Sequence, residues 1–155
     1  MKKYELTEET VTVYGKTLYR IRAVRDFGSV KTGEFGGYIE KEENLSHFGD
    51  AWVYGNAKVY GDARVSGNAR VYGNAEVFNT RHFFVQGPIG SRDGYVTFYR
   101  TKDDTVEVRC GCFSGSLQEF VNQVEETHGG SRYEKEYKLA AELAKVCIRL
   151  EGESR

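Results

Sequence analysis

From Gly49 to Phe78 the chain repeats every six residues without an insertion: GDAWVY, GNAKVY, GDARVS, GNARVY, GNAEVF. Alanine fills the third slot of each hexad (Ala51, Ala57, Ala63, Ala69, Ala75) and valine the fifth (Val53, Val59, Val65, Val71, Val77). Slots three and five are two residues apart, so both side chains leave the same face of a short extended segment. Gly-Asn and Gly-Asp tolerate left-handed backbone and supply a turn each time. Three such sides close a coil of eighteen residues whose small apolar side chains face one axis, with coils stacked at about 4.8 Å. The pattern predicts a short left-handed parallel β-helix.

An eighteen-residue coil makes the outward slots partners of one another. Trp52 falls beside Arg70 in a cation–π arrangement, Lys58 beside Glu76, Tyr54 beside Tyr72, and Tyr60 beside Phe78. Trp52, Tyr54, Tyr60, Tyr72 and Phe78 are therefore read either as surface ladders or as the interface of a homo-oligomer, a dimer or trimer.

Upstream the repeat decays into an irregular first coil. Ile39 and Leu45 keep the third slot, but Lys41 and His47 occupy the fifth. Thr10–Tyr14 and Leu18–Val24 alternate around Tyr14-Gly15-Lys16, a β-hairpin that would cap the open end of the repeat. Residues 1–79 thus read as one unit. Residues 80–155 read as a second, α+β unit, in which His82–Gln86, Tyr95–Thr101 and Val106–Phe113 are strands. Two helices follow, each opened by a capping box (Ser116 with Glu119, Ser131 with Glu134). The fold class expected is mainly β with an α+β tail of the form ββ(β)αα.

Composition narrows the function. With 18 glycines and a single proline, the chain favours repeated tight turns over a disordered linker. A net charge of −1 provides no general field for nucleic acid or an anionic membrane. No apolar run reaches membrane-spanning length. Three cysteines without an apolar leader are read as reduced thiols, which places the chain in a cytoplasm. Cys110, Cys112 and His128 match no common zinc spacing, so neither a metal nor a cofactor is expected.

The hexads resemble the hexapeptide-repeat acyltransferases, a likeness that implies a catalytic histidine beside a loop extruded from the coils. No histidine and no insertion occur between Gly49 and Phe78, and His47 alone lies nearby. A closer resemblance spans most of the chain. It runs through Leu18-Tyr19-Arg20-Ile21-Arg22-Ala23, Asp26-Phe27-Gly28, Gly36-Gly37-Tyr38-Ile39-Glu40, Glu43-Asn44-Leu45-Ser46 and the hexads. It continues with Gly87-Pro88-Ile89-Gly90-Ser91-Arg92, Cys110-Gly111-Cys112-Phe113 and Thr127-His128-Gly129. These segments are similar to phage and prophage hexad-repeat proteins of mostly unknown function. The resemblance implies a bacterial host cytoplasm, and a protein that binds a host factor or sequesters a nucleotide immune signal.

The segment Gly87 to Arg92 carries the sharpest chemistry. Glycines let backbone N–H groups approach an anion, Ser91 offers a hydroxyl and Arg92 a bidentate fork, although no Walker loop is present. His128 and Arg132 are candidate second contacts, and Tyr133 a stacking surface. The competing reading is a rigid hairpin loop. The expected function is a non-catalytic binding protein for a phosphorylated small molecule. The alternatives are an inhibitor docking on a host protein, and an acyltransferase.

Overall fold

The computed structural model describes residues 2–152, and the chain divides between Thr80 and Arg81 into two compact units. In the first, β1 (Tyr4–Val13) and β2 (Lys16–Ala23) form an antiparallel hairpin. Tyr14 and Gly15 both take positive φ at its turn, the conformation that matches the twist of a two-residue hairpin. β2 pairs antiparallel with β3 (Phe35–Ile39), and β3 pairs parallel with β5 (Lys58–Val59). β5 in turn pairs parallel with β7 (Glu76–Val77). The result is one mixed five-stranded sheet of order β1-β2-β3-β5-β7. β4 (Trp52–Val53) and β6 (Arg70–Val71) make a separate two-stranded sheet. A single bridge joins Leu45 to Val65.

The expected parallel β-helix is therefore corrected: the protein is mixed α/β, with several small sheets and no parallel β-helix solenoid. The cause is local. Four of the five hexads leave only two residues extended between glycines of positive φ, and the third contributes a single bridge at Val65. Thirty residues also fill less than two eighteen-residue turns, so no long parallel rows build up. The hairpin annexes one side of the stack into its own sheet. The inward set nevertheless holds, because all ten alanine and valine side chains are buried. Trp52 is opposite Arg70 and Lys58 opposite Glu76 in strand register, and Tyr54 stacks on Tyr72 at 3.9 Å and Tyr60 on Phe78 at 5.2 Å.

What terminates the stack is a set of backbone and side-chain donors from outside the hexads. Within it, backbone N–H groups donate to carbonyls about eighteen residues ahead, such as Trp52 N to Ala69 O at 3.1 Å and Tyr60 N to Val77 O at 2.9 Å. Carbonyls of the leading hexads need donors from elsewhere, since an unpaired buried carbonyl is costly. β3 supplies Tyr38 N to Ala57 O at 3.0 Å. Buried Lys3 donates to Ala51 O at 2.7 Å. Buried Asn44 donates through its amide to Gly61 O at 3.1 Å and Ala63 O at 2.8 Å.

The second unit is a four-stranded antiparallel sheet of order β11-β10-β9-β8. Its strands are β8 (Phe83–Ile89), β9 (Gly94–Arg100), β10 (Val106–Cys110) and β11 (Phe113–Ser116). The strand expected over Val106–Phe113 is broken into two at Gly111, which turns at φ 56°. Cys110 and Cys112 consequently do not share one strand face, and the tail is ββββαα. Helices α1 (Leu117–His128) and α2 (Arg132–Cys147) follow. Val96, Phe98, Val108, Phe120, Val124, Ala140, Ala144 and Ile148 join sheet and helices in one core. The Ser116–Glu119 capping box forms with both reciprocal bonds. At α2 it does not: the Ser131 hydroxyl donates to His128 O, and Glu134 accepts from Gly130 N. Among the described residues no helix is long and apolar enough to cross a membrane.

Candidate functional site

The segment Gly87 to Arg92 leads from the end of β8 into the β8–β9 turn, and its glycines serve packing as well as turning. A side chain at Gly87 would meet the Tyr95 ring at 2.4 Å and Gly94 O at 2.6 Å, in a stretch where the register with β9 shifts and the Gly87–Pro88 bond is cis. Gly90 is buried with φ +82°, and a Cβ there would lie 1.8 Å from the Tyr137 hydroxyl. Its N–H is not free for a ligand in this state: it donates to the Glu136 carboxylate at 2.7 Å.

Around this contact the second unit gathers a cluster on the facing side of α2. Tyr133 and Tyr137 are four residues apart and share a helix face. The half-buried His128 ring, from the end of α1, sits 5.9 Å from Tyr133 and 5.5 Å from Tyr137. The Tyr137 hydroxyl and the Cys110 thiol lie close enough to influence each other's protonation. Burial raises the Tyr137 hydroxyl pKa, Cys110 and Glu136 push it further in the same direction, and the Arg92 charge opposes them. Burial likewise pushes the Cys110 thiol up, partly offset by the neighbouring Tyr137 hydroxyl.

Of the residues singled out from the sequence, Gly90 and His128 pack on Tyr137 and Tyr133 packs on His128, while the exposed Arg92 follows Gly90 on the turn. Gly87 instead packs on Tyr95. Ser91 and Arg132 are exposed, on the turn and the first turn of α2 respectively. Sequence reasoning missed Glu136, Tyr137 and Cys110 as members. Tyr137 reads as one more apolar position of α2, and only its four-residue spacing from Tyr133 hints at a shared aromatic edge.

The outward aromatic surface is also corrected. Trp52 is buried, with Tyr4 at 6.2 Å and Phe27 at 5.1 Å edge-on to its ring, so it is not displayed for a cation or a partner. Tyr60 is buried beside Leu18 and Tyr38. Tyr54, Tyr72 and Phe78 are half-buried within their ladders. His47 stacks on Tyr4 at 4.1 Å, and both its nitrogens are engaged, Nδ1 by Lys3 N at 3.0 Å and Nε2 by Glu42 at 2.8 Å. A general base needs one of them unoccupied. The first unit also carries an open polar groove of about 350 Å³ lined by Lys41, Glu43, Gly61, Asp62, Ala63 and Arg64. Among the described residues no group of three or more His, Cys, Asp or Glu is placed to hold a metal ion.

The chain matches no protein-family model, and no curated protein is significantly similar to it.

Proposed function

We propose that this chain is a non-catalytic binding protein of phage type that captures a phosphorylated small molecule, with a nucleotide signal as the favoured class. The site is the β8–β9 turn together with Arg92, His128 and Tyr133. The observation that supports this reading most is the Gly90–Glu136 contact: a buried backbone N–H that already holds an oxyanion, beside an exposed arginine and an aromatic edge. Backbone N–H and guanidinium groups recognise phosphate oxygens, and aromatic faces accept a base by stacking. The phage resemblance supplies the setting, a bacterial host cytoplasm and a counter-defence role, and the protein is proposed to work as a homodimer or homotrimer. Thermal-shift and calorimetric titrations with cyclic dinucleotides and ADP-ribose-type nucleotides test the reading. Binding by at least one of them that Arg92→Ala abolishes supports it. Silence across the panel, or undiminished binding by Arg92→Ala, sinks it.

One observation favours a second reading, an inhibitor docking on a host protein. Leu139, Leu143 and Val146 form an exposed apolar stripe at helical spacing on α2. That reading requires capture of a defined host protein that Leu143→Asp prevents and that no nucleotide displaces. Acyl transfer is disfavoured by the engagement of both His47 nitrogens.

A further inference from the structure

Gly90 is buried, so its N–H must be satisfied in every state, since a bare buried donor is costly. In the free protein the acceptor is the Glu136 carboxylate at 2.7 Å, within the range of a charge-assisted hydrogen bond. Glu136 has an alternative partner that it does not use. Arg132 lies one helical turn before it on α2, at the spacing that brings Lys138 within 2.9 Å of Glu134. Yet neither Arg132 nor Arg92 forms an ion pair among the described residues. Arg132 thus stands one helical turn from a carboxylate that has turned away to a backbone N–H, and Arg92 follows two residues after the Gly90 that this carboxylate closes. Tyr137 joins the parts: its hydroxyl packs on Gly90, and it lies within the electrostatic reach of both Glu136 and Arg92.

We infer that Glu136 is a built-in occupant of the anion site. Its carboxylate closes the Gly90 N–H in the free chain, and the phosphate group of the ligand displaces it. The exchange leaves the number of hydrogen bonds at Gly90 unchanged. It releases Glu136 toward solvent and Arg132, while the incoming phosphate gains Arg92. Affinity is then set by competition inside the chain, and a ligand without a phosphate anion has nothing with which to displace the carboxylate. This inference rests on the reading proposed above and adds the group of the ligand that is recognised and the residue that restrains binding.

The test follows the Gly90 amide by nitrogen-15 NMR in the full chain, with inorganic pyrophosphate as the probe. Wild type is compared with Glu136→Ala, Glu136→Gln and Glu134→Gln. Removing an acceptor charge worth a charge-assisted hydrogen bond is expected to tighten pyrophosphate binding roughly tenfold in Glu136→Ala. Glu136→Gln, which keeps the acceptor without the charge, falls between it and wild type. Glu134→Gln, on the same helix but bonded to Lys138 and Gly130, leaves affinity unchanged. If Glu136→Ala does not fold, Glu136→Gln decides alone. Equal or weaker binding by both Glu136 variants overturns the inference, as does the same gain in Glu134→Gln, which would mark a diffuse charge effect. Nucleotide binding in the earlier panel with a stationary Gly90 amide removes the inference and leaves the proposed function standing. Silence toward pyrophosphate and the panel alike removes both.

Discussion

Replacing Asn44 by alanine tests how the hexads are terminated. The Asn44 amide donates to Ala63 O at 2.8 Å in a fully buried bond and to Gly61 O at 3.1 Å, and its oxygen accepts Lys41 N at 3.0 Å. Lys41 is exposed, so water can replace the last of these. The Ala63 carbonyl has no such recourse, at about 1–3 kcal/mol, and the partly buried Gly61 bond adds about 1 kcal/mol. Asn44→Ala should therefore destabilise the first unit by about 3 kcal/mol. For a unit of this size that corresponds to a fall of roughly 12–24 °C in Tm. The single tryptophan, Trp52, is buried in that unit, so its fluorescence during urea unfolding reports this region selectively. Asn44→Asp is the informative companion. An ionised carboxylate cannot donate to two carbonyls and repels both, so at neutral pH it should be worse than alanine. Its deficit should narrow in acid, where the protonated group regains one donor. A loss under about 1 kcal/mol for Asn44→Ala, with Asn44→Asp no worse at pH 7, would refute the idea that these side chains close the stack.

The remaining predictions concern the other buried groups and the assembly. Burial, reinforced by the Arg25 charge, lowers the Lys3 amine to about 8, so between pH 8 and 10 the unfolded chain holds a proton that the folded chain has lost. Stability followed through Trp52 should accordingly rise by about 2 kcal/mol across that window, and Lys3→Met should abolish the slope; a persistent slope counts against it. Above that range Tyr4, raised by burial, reverses the trend, because its folded form resists ionisation. Gly90→Ala combines a positive φ with overlap on the Tyr137 hydroxyl and should cost the second unit about 3 kcal/mol. Both α-helices of the described residues lie in that unit, so circular dichroism at 222 nm should record the loss while Trp52 fluorescence does not. Light scattering should return a multiple of 17.6 kDa, and a monomer mass in dilute solution removes the proposed homo-oligomer.

Much of the first unit's interior is legible in the sequence, because a two-residue alternation leaves Ala51, Val53 and their equivalents only one direction to face. The eighteen-residue offset between Trp52 and Arg70 is legible for the same reason. The architecture is not. Whether stacked hexads continue as their own sheets or are absorbed into a hairpin depends on what satisfies their carbonyls. Lys3 and Asn44, which do so from outside the repeat, carry no periodic signal. Trp52 reads as outward by slot, yet Tyr4 and Phe27 from the preceding segment cover it. In the second unit a single glycine, Gly111, splits one expected strand into two. At the candidate site, Arg92 and Tyr133 are recognisable by residue type. Glu136 is not, because a glutamate on a helix reads as solvated until the turn it faces is known.

The central claim, that the β8–β9 turn and its neighbours on α2 hold a phosphorylated ligand, is tested most directly by amide chemical-shift mapping of the full chain. The titrant is whichever nucleotide of the panel binds, or ADP-ribose if calorimetry detects none. Saturable shifts centred on Gly90, Arg92, His128 and Tyr133 are expected, with the hexads of the first unit unmoved. Shifts confined to the Lys41 and Arg64 groove, or none at millimolar ligand, would contradict it.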